Sequence, residues 1–351
     1  MIRKILIAAK GLSLMLCCVL LTVFSQGSRE SAANGIKLCL NVLVPSLFPF
    51  MALTNLFAQT GLCQKLGKPL NKLTQKLLGL SGAAAPVILM SLIGGYPVGA
   101  AGIAQLRRQN ALSGAEAEQA ALFAVCAGPG FVISFAGAGL FGSVNIGLII
   151  FAAQAISVLL TAPLARLLRR KEEYSSGKEL SSSSSPFSQA LVGSVYSAAK
   201  SMLTICAFVL LFSAFSGILL QMLPGSAFLT AAAAMLEVSS GVVMLSRGSP
   251  VEAAAFLIGF GGICVHFQIF AALGEVRVSK ALFFIFRIIQ GLLTASLTHI
   301  GLRLLPQKEA VFSTSHIDRA AVFGGSVLSG AALIGVTICF LASVKQAIKK
   351  Q

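Results

Sequence analysis

The chain alternates long apolar runs with short polar or basic clumps. Runs of about 20 residues at 5–24, 146–168, 202–223 and 320–343 hold almost no charge. At about 1.5 Å per residue, each is long enough to cross a hydrocarbon core roughly 30 Å thick as a helix. Other apolar pieces are too short or are interrupted. A span at about 36–60 carries Pro45 and Pro49, which remove amide donors and predict a kinked or locally unwound helix. Segment 83–93 is followed by Gly94-Gly95-Tyr96-Pro97-Val98-Gly99, and then by a second short apolar arm, 100–106. Each arm covers roughly 10–18 Å, half a bilayer. Ser113 and Glu116 have the spacing of a capping box. The helix they open is broken at Ala127-Gly128-Pro129-Gly130 and resumes at Phe131. The pattern predicts an all-α polytopic membrane protein.

The polar clumps set the topology. Arg3 and Lys4 place the N-terminus in the cytoplasm, and Arg29 and Glu30 fall in an outer loop. Lys65, Lys68, Lys72 and Lys76, interleaved with leucines, read as a basic amphipathic helix on the inner face. With Arg107-Arg108 at its far end, 83–106 is flanked by inner-side basic residues, so it is expected to enter and leave by one face as a re-entrant hairpin. The chain divides into an N-terminal transmembrane helix with outer loop (1–33), a first repeat (34–170), a serine-rich cytoplasmic linker (171–188), a second repeat (189–344) and a basic tail (345–351). In the second repeat, a span at 198–223 precedes the alanine-rich segment 227–246. A second hairpin is expected at 252–273 around Gly261-Gly262, followed by long helices at 278–303 and 320–343. Aligning 84–95 with 251–262 superposes the two Gly-Gly pairs. The positive-inside count favours a spanning 227–246 and parallel repeats. Glu237 and the two serines after it favour a surface segment and inverted repeats, the preferred arrangement. Internal repeats around discontinuous helices are a mark of secondary transporters.

Composition narrows the function. Only 11% of residues are charged and 56% are hydrophobic, against about a quarter charged in soluble domains. This excludes a soluble enzyme, a nucleic-acid-binding domain and a disordered chain. The net charge of +16 is then a topology signal rather than a nucleic-acid footprint. The eight cysteines contain no CxxC, and those inside apolar segments read as small hydrophobes. The first apolar run is long and lacks a small-residue cleavage site, so it reads as a retained helix. One aspartate, Asp318, is present. His299 and His316 lack metal-ligand spacing, and there is no Walker motif. No enzymatic activity, metal or cofactor is expected.

The candidate chemistry lies at the breaks. Gly94, Gly95, Gly99, Gly261 and Gly262 leave backbone amides uncovered, and half-helix N-termini attract anions. The same glycines also suit close helix packing. Arg287 lies inside a predicted span, where a guanidinium is costly unless paired or hydrated. It is a candidate for binding a substrate carboxylate, with Gln290 orienting the same ligand. Its structural alternative is a pairing with Glu237 or Glu252. His266 and Gln268 follow the second Gly-Gly pair. His266 is either a buried hydrogen-bonding residue or a site residue, and Gln268 points to a different face. Glu237, with Ser239, is a hydrogen-bond acceptor, a cation ligand or a proton carrier. Tyr96, Pro97, Gly128, Pro129 and Asn41 complete the candidate lining. The expected partners are a small-molecule anion and the lipid bilayer, with a homo-oligomer left open.

Five motifs in order carry a family likeness: Pro45-Ser46-Leu47-Phe48-Pro49-Phe50, Gly94 to Ala100, Ala127 to Phe131, Leu236 to Gly241 and Gly261 to Gln268. Together they resemble the nucleoside-recognition (Gate) membrane family and, within it, the YlbJ-type sporulation integral membrane proteins, over about 34–305. The resemblance implies a fold similar to the concentrative nucleoside transporters, with two oppositely inserted hairpins and two broken helices around a midplane site. It also implies movement of dipicolinate across a forespore membrane. A nucleoside carrier and a non-transporting sporulation assembly factor are the alternatives. The short serine-rich linker departs from the family pattern.

Overall fold

The computed structural model describes residues 2–60, 72, 74–76, 78–168 and 186–305. Most of the basic helix expected at 65–76, nearly all of the linker 171–188, the span at 320–343 and the basic tail lie outside the described residues. Those described are helical, with no strand among them. Among the described residues, five helical stretches have the length and apolar character to cross a membrane: Ser25–Leu56, Val144–Leu167, Phe187–Met222, Val251–Leu273 and Lys280–Leu304. The protein is an integral, multi-pass membrane protein.

Helix α1 (Ile2–Val23) leads into α2 (Ser25–Leu38), a π-helical turn at Cys39–Leu43 and α3 (Val44–Gln59). The outer loop expected around Arg29 and Glu30 is therefore helical. Its small and polar residues form a packing face instead. A Cβ on Gly27 would stand 2.8 Å from Gly217 O, and one on Gly35 would stand 2.9 Å from Ser213 Oγ. Small residues here let two backbones approach closely, and Gln26 Nε2 donates to Glu30 Oε1 one turn later. The break expected at the prolines appears as the π turn just before them, where the Val44 amide reaches back five residues to Cys39 O. Pro49 sits inside α3 without ending it.

Helices α4 (Ala84–Gly94) and α5 (Tyr96–Arg108) form a hairpin about Gly95. The arms close on small residues: Gly99 faces Ser91 and Gly102 faces Val87. Next, α6 (Gly114–Phe123) starts at the Ser113–Glu116 capping box. The chain is unwound over 124–128 and recoils as a π helix, Gly130–Leu140, followed by α7 (Val144–Leu167). The second half opens with α8 (Phe187–Met222), whose 36 residues span about 54 Å. Then come α9 (Ala227–Leu236), α10 (Val238–Leu245), α11 (Val251–Phe260), α12 (Gly262–Leu273) and α13 (Lys280–Leu304).

The hairpin of this half is not where the Gly-Gly pair suggests. The short helices that pack on each other are α9 and α10, turned at Glu237. In contrast, α11 lies along α13 while α12 packs on α5 and α8. The cause is a small face on α11. A Cβ on Gly259 would stand 2.8 Å from Gln290 O and 2.9 Å from the Gly291 Cα of α13, so α11 is committed to α13. Gly261 and Gly262, with φ of 94° and 71°, redirect the chain into α12. Residues 251–273 are thus a broken helix of spanning length rather than a hairpin. Both halves then show the same order: long helix, short hairpin, broken helix, long helix. The long helices pair across the halves, α3 with α8 and α7 with α13.

Candidate functional site

The two hairpin tips and the two helix breaks meet at one place. At the first tip, Gly95 has φ 84°, and a Cβ there would stand 3.2 Å from Gly128 N in the unwound segment. A Cβ on Gly128 would stand 3.0 Å from Ile93 O. At the second tip, a Cβ on Gly262 would stand 3.0 Å from Val238 N. Each tip therefore rests on a break, backbone to backbone. Tyr96 ties the first tip to the second break: its ring lies against Gly261 and its hydroxyl donates to Ile258 O.

Unwinding inside a membrane orphans the carbonyls at the end of the arm before the break, and each needs a donor. Arg287 supplies two. Its guanidinium donates to Val125 O and, at 3.1 Å, to Leu122 O. Gln290 Nε2 donates to Phe123 O at 2.9 Å and Thr161 Oγ1 at 2.8 Å. At the second break the donors are the Tyr96 hydroxyl and His266, whose Nε2 lies 2.8 Å from Phe260 O. His266 is packed edge-on among Phe260, Phe283 and Phe284. Arg287 and His266 are both fully buried. The structure thus places the two polar residues singled out from the sequence behind the breaks, holding them open. Arg287 pairs with neither Glu237 nor Glu252; the latter bonds to His299.

Between the tips lies a cavity of about 50 Å³, room for a few waters. It is lined by Gly94, Gly95, Tyr96 and Pro97 of the first tip, Ala127, Gly128 and Phe131 at the first break, and Glu237, Val238 and Ser239 of the second tip. Val265 and Gln268 come from α12, with apolar walls from α3 and α8. The tips differ in charge. Glu237 is fully buried and caps α10, its carboxylate accepting from Ser239 N at 2.9 Å and Ser240 N at 2.6 Å. The N-terminus of α5 has no side-chain cap. Gln268 Nε2 donates to Cys264 Sγ at 3.2 Å.

Eight of the residues expected from the sequence are therefore brought together: Gly94, Gly95, Tyr96, Pro97, Gly128, Glu237, Ser239 and Gln268. Gly99 lies within the first hairpin, Gly261 and Gly262 form the second break, Pro129 opens the π helix, and Asn41 is exposed. The apolar walls, including Leu47, Met51, Ile205 and Val209, carry no signal that separates them from lipid-facing residues. A polar stripe did carry one. Gln154, Ser157 and Thr161 on α7, and Gln290, Thr294 and Thr298 on α13, recur every three or four residues and are all buried. Thr294 Oγ1 meets Ser157 Oγ at 3.2 Å across the α7–α13 seam.

A sequence model of the Gate family, described as nucleoside recognition, matches residues 40–218. The chain is also similar to the sporulation integral membrane protein YlbJ of Bacillus subtilis (strain 168). The two are 26% identical, with 77% of this chain and 76% of the relative covered. No solved structure gives a significant match.

Proposed function

From the premise that the chain belongs to the Gate, nucleoside-recognition family, we propose that it is a carrier or facilitator that moves a small carboxylate through the central cavity, with dipicolinate during spore formation as the substrate. The observation that carries this reading is the meeting of two hairpin tips with two helix breaks around one cavity. Non-helical backbone at membrane depth persists where it lines a cavity or is buried in protein, and such half-helices bind substrate in secondary transporters. The uncapped N-terminus of α5 offers amides to a carboxylate. Phe131, Tyr96 and Pro97 offer apolar surface to a ring. Sporulation enters through the similarity to YlbJ.

In this reading the two halves are inverted repeats, 84–108 corresponding to 227–245 and 114–140 to 251–273. The first hairpin enters from the cytoplasm, where Arg107 and Arg108 end it, and the N-terminus is cytoplasmic. The cavity as it stands is too small for a pyridine dicarboxylate, so the tips part to admit it. Contacts made through glycine backbone rather than interlocked side chains suit that movement. Purified protein in proteoliposomes is expected to take up pyridine-2,6-dicarboxylate in a saturable manner, and absence of that flux overturns the reading. The second reading, a nucleoside carrier, draws on Glu237, Ser239 and Gln268, which suit ribose hydroxyls. Nucleoside uptake in the same vesicles, without carboxylate uptake, decides for it.

A further inference from the structure

The central cavity contains a carboxylate and no cation. Glu237 is fully buried, and no lysine or arginine is among the residues that line the cavity with it. The nearest buried cation, Arg287, is committed to the carbonyls of Leu122 and Val125. Both oxygens of Glu237 accept backbone amides at the N-terminus of α10. The titratable groups facing it are thiols and a phenol: Cys39 of the π turn, Cys264 of α12, the free thiol of Cys206 of α8 hydrogen-bonded to Cys39, and Tyr96 across the cavity. None carries positive charge. Of the helices packed against this hairpin, α11 has its Glu252 bonded to His299, while Lys37 of α2 and Lys200 of α8 are exposed.

A solute carboxylate entering this space meets a like charge in a low dielectric. Two carboxylates sharing such a site do not both stay ionised. We propose that Glu237 takes up one proton for each solute molecule admitted, so that anion and proton cross together. This rests on the carboxylate reading above. The balance is simple. A proton from water on the entry side adds to one Glu237 oxygen, breaking its bond to a backbone amide, and the new O–H donates to the solute carboxylate. On the exit side the solute leaves, the proton passes to water, and the carboxylate recovers its amide. A neutral acid hydrogen-bonded to a carboxylate replaces the repelling pair. The uncapped α5 N-terminus faces the same cavity and receives the other end of a dicarboxylate.

The experiment uses proteoliposomes carrying an internal pH dye, with pyridine-2,6-dicarboxylate as the probe. Wild-type uptake is expected to acidify the lumen in step with solute entry. A dianion entering with one proton carries net charge, so the membrane potential is clamped at zero, and an outside-acid gradient of one pH unit should then drive about tenfold accumulation for one coupled proton. Glu237→Gln keeps an oxygen acceptor at the α10 cap and cannot titrate. It is expected to lose both the dye response and gradient-driven accumulation, so that any uptake left runs only down the solute gradient. A second measurement covers misfolding of that variant: wild-type protein in detergent is expected to take up about one proton per probe bound. Wild-type flux without lumen acidification overturns the proposal and leaves the carrier reading intact. Coupling that survives Glu237→Gln places the proton elsewhere and also overturns it. No uptake of the probe by wild type overturns the carboxylate reading, and this inference with it.

Discussion

The two helix breaks solve one problem with different means. The first, over 124–128, leaves carbonyls from Leu122 to Val125 without helical donors, and α13 answers with Arg287 and Gln290. The second, at Gly261-Gly262, is shorter and needs two donors, Tyr96 and His266. A guanidinium in a membrane is expensive. It is retained where one side chain must serve two carbonyls on different residues, which a planar fork of donors does and a point charge does not. The tips differ in the complementary way. The tip that rests on the first break leaves its helix N-terminus open, while the tip that rests on the second fills it with Glu237. The cavity between them is therefore polar in an uneven manner, with a helix N-terminus that has no side-chain cap on one side and a carboxylate on the other.

If the first break depends on Arg287 as described, its loss should be the largest single effect. Arg287→Ala leaves two buried acceptors unpaired and a void, a cost of roughly 3–5 kcal/mol. The expected outcome is a collapse of the thermal midpoint in detergent and of yield from membranes. Arg287→Lys, which offers a point charge, should recover less than half of the loss. A midpoint within a degree or two of wild type for Arg287→Ala would show that the guanidinium does not brace the break. Next in size are the glycine contacts. Gly128→Val and Gly262→Val each push a tip off its break, at about 1–3 kcal/mol each, and both should abolish uptake. If one abolishes uptake and the other leaves it untouched, the two contacts are not equivalent. Smaller again is Tyr96→Phe, which removes one hydrogen bond and leaves one carbonyl unpaired. It should lower stability by about 1–2 kcal/mol and act at the second break alone. Combined with His266→Phe, it should exceed the sum of the single effects, because both donors serve the same helix end.

These same residues show what a sequence reveals and what it hides. Glycine-proline punctuation exposed the first hairpin and the first break, because few other residues accept those backbone angles. It misplaced the second hairpin, because Gly-Gly marks a break as readily as a reversal. The true turn at Glu237 is made by a carboxylate cap, which has no glycine to announce it. Arg287 stood out because charge is rare in the membrane. Its role did not, because a buried cation beside a ligand and one beside orphaned carbonyls look alike along the chain. The outer loop around Arg29 and Glu30 was misread because serine, glycine and alanine serve both loops and close helix contacts. Which use they have depends on Gly217 and Ser213, far along the chain in α8.

The smallest expected effect tests how each broken helix is anchored at its start. In the first half, Glu116 is buried and accepts from Ser81 N and Ser113 N, each at 2.9 Å, and Gln119 Nε2 donates to Leu78 O at 2.7 Å. In the second half, the start of α11 is tied to α13 by Glu252 and His299, 2.8 Å apart and both partly exposed. When His299 carries a proton this is an exposed ion pair, which contributes about 0–1 kcal/mol and is screened by salt. Buried hydrogen bonds to a carboxylate are not screened, and breaking them leaves amides unpaired. At about pH 5.5, where an ordinary imidazole is mostly protonated, Glu252→Gln should therefore lower the thermal midpoint slightly at low salt and not at all in about 0.5 M salt, where the Debye length is only a few ångströms. Glu116→Gln should cost more, about 1–3 kcal/mol, and the loss should be the same at either salt. A salt-independent loss at Glu252 would mean that the pair is shielded as the Glu116 cluster is, and the two halves would then be anchored alike.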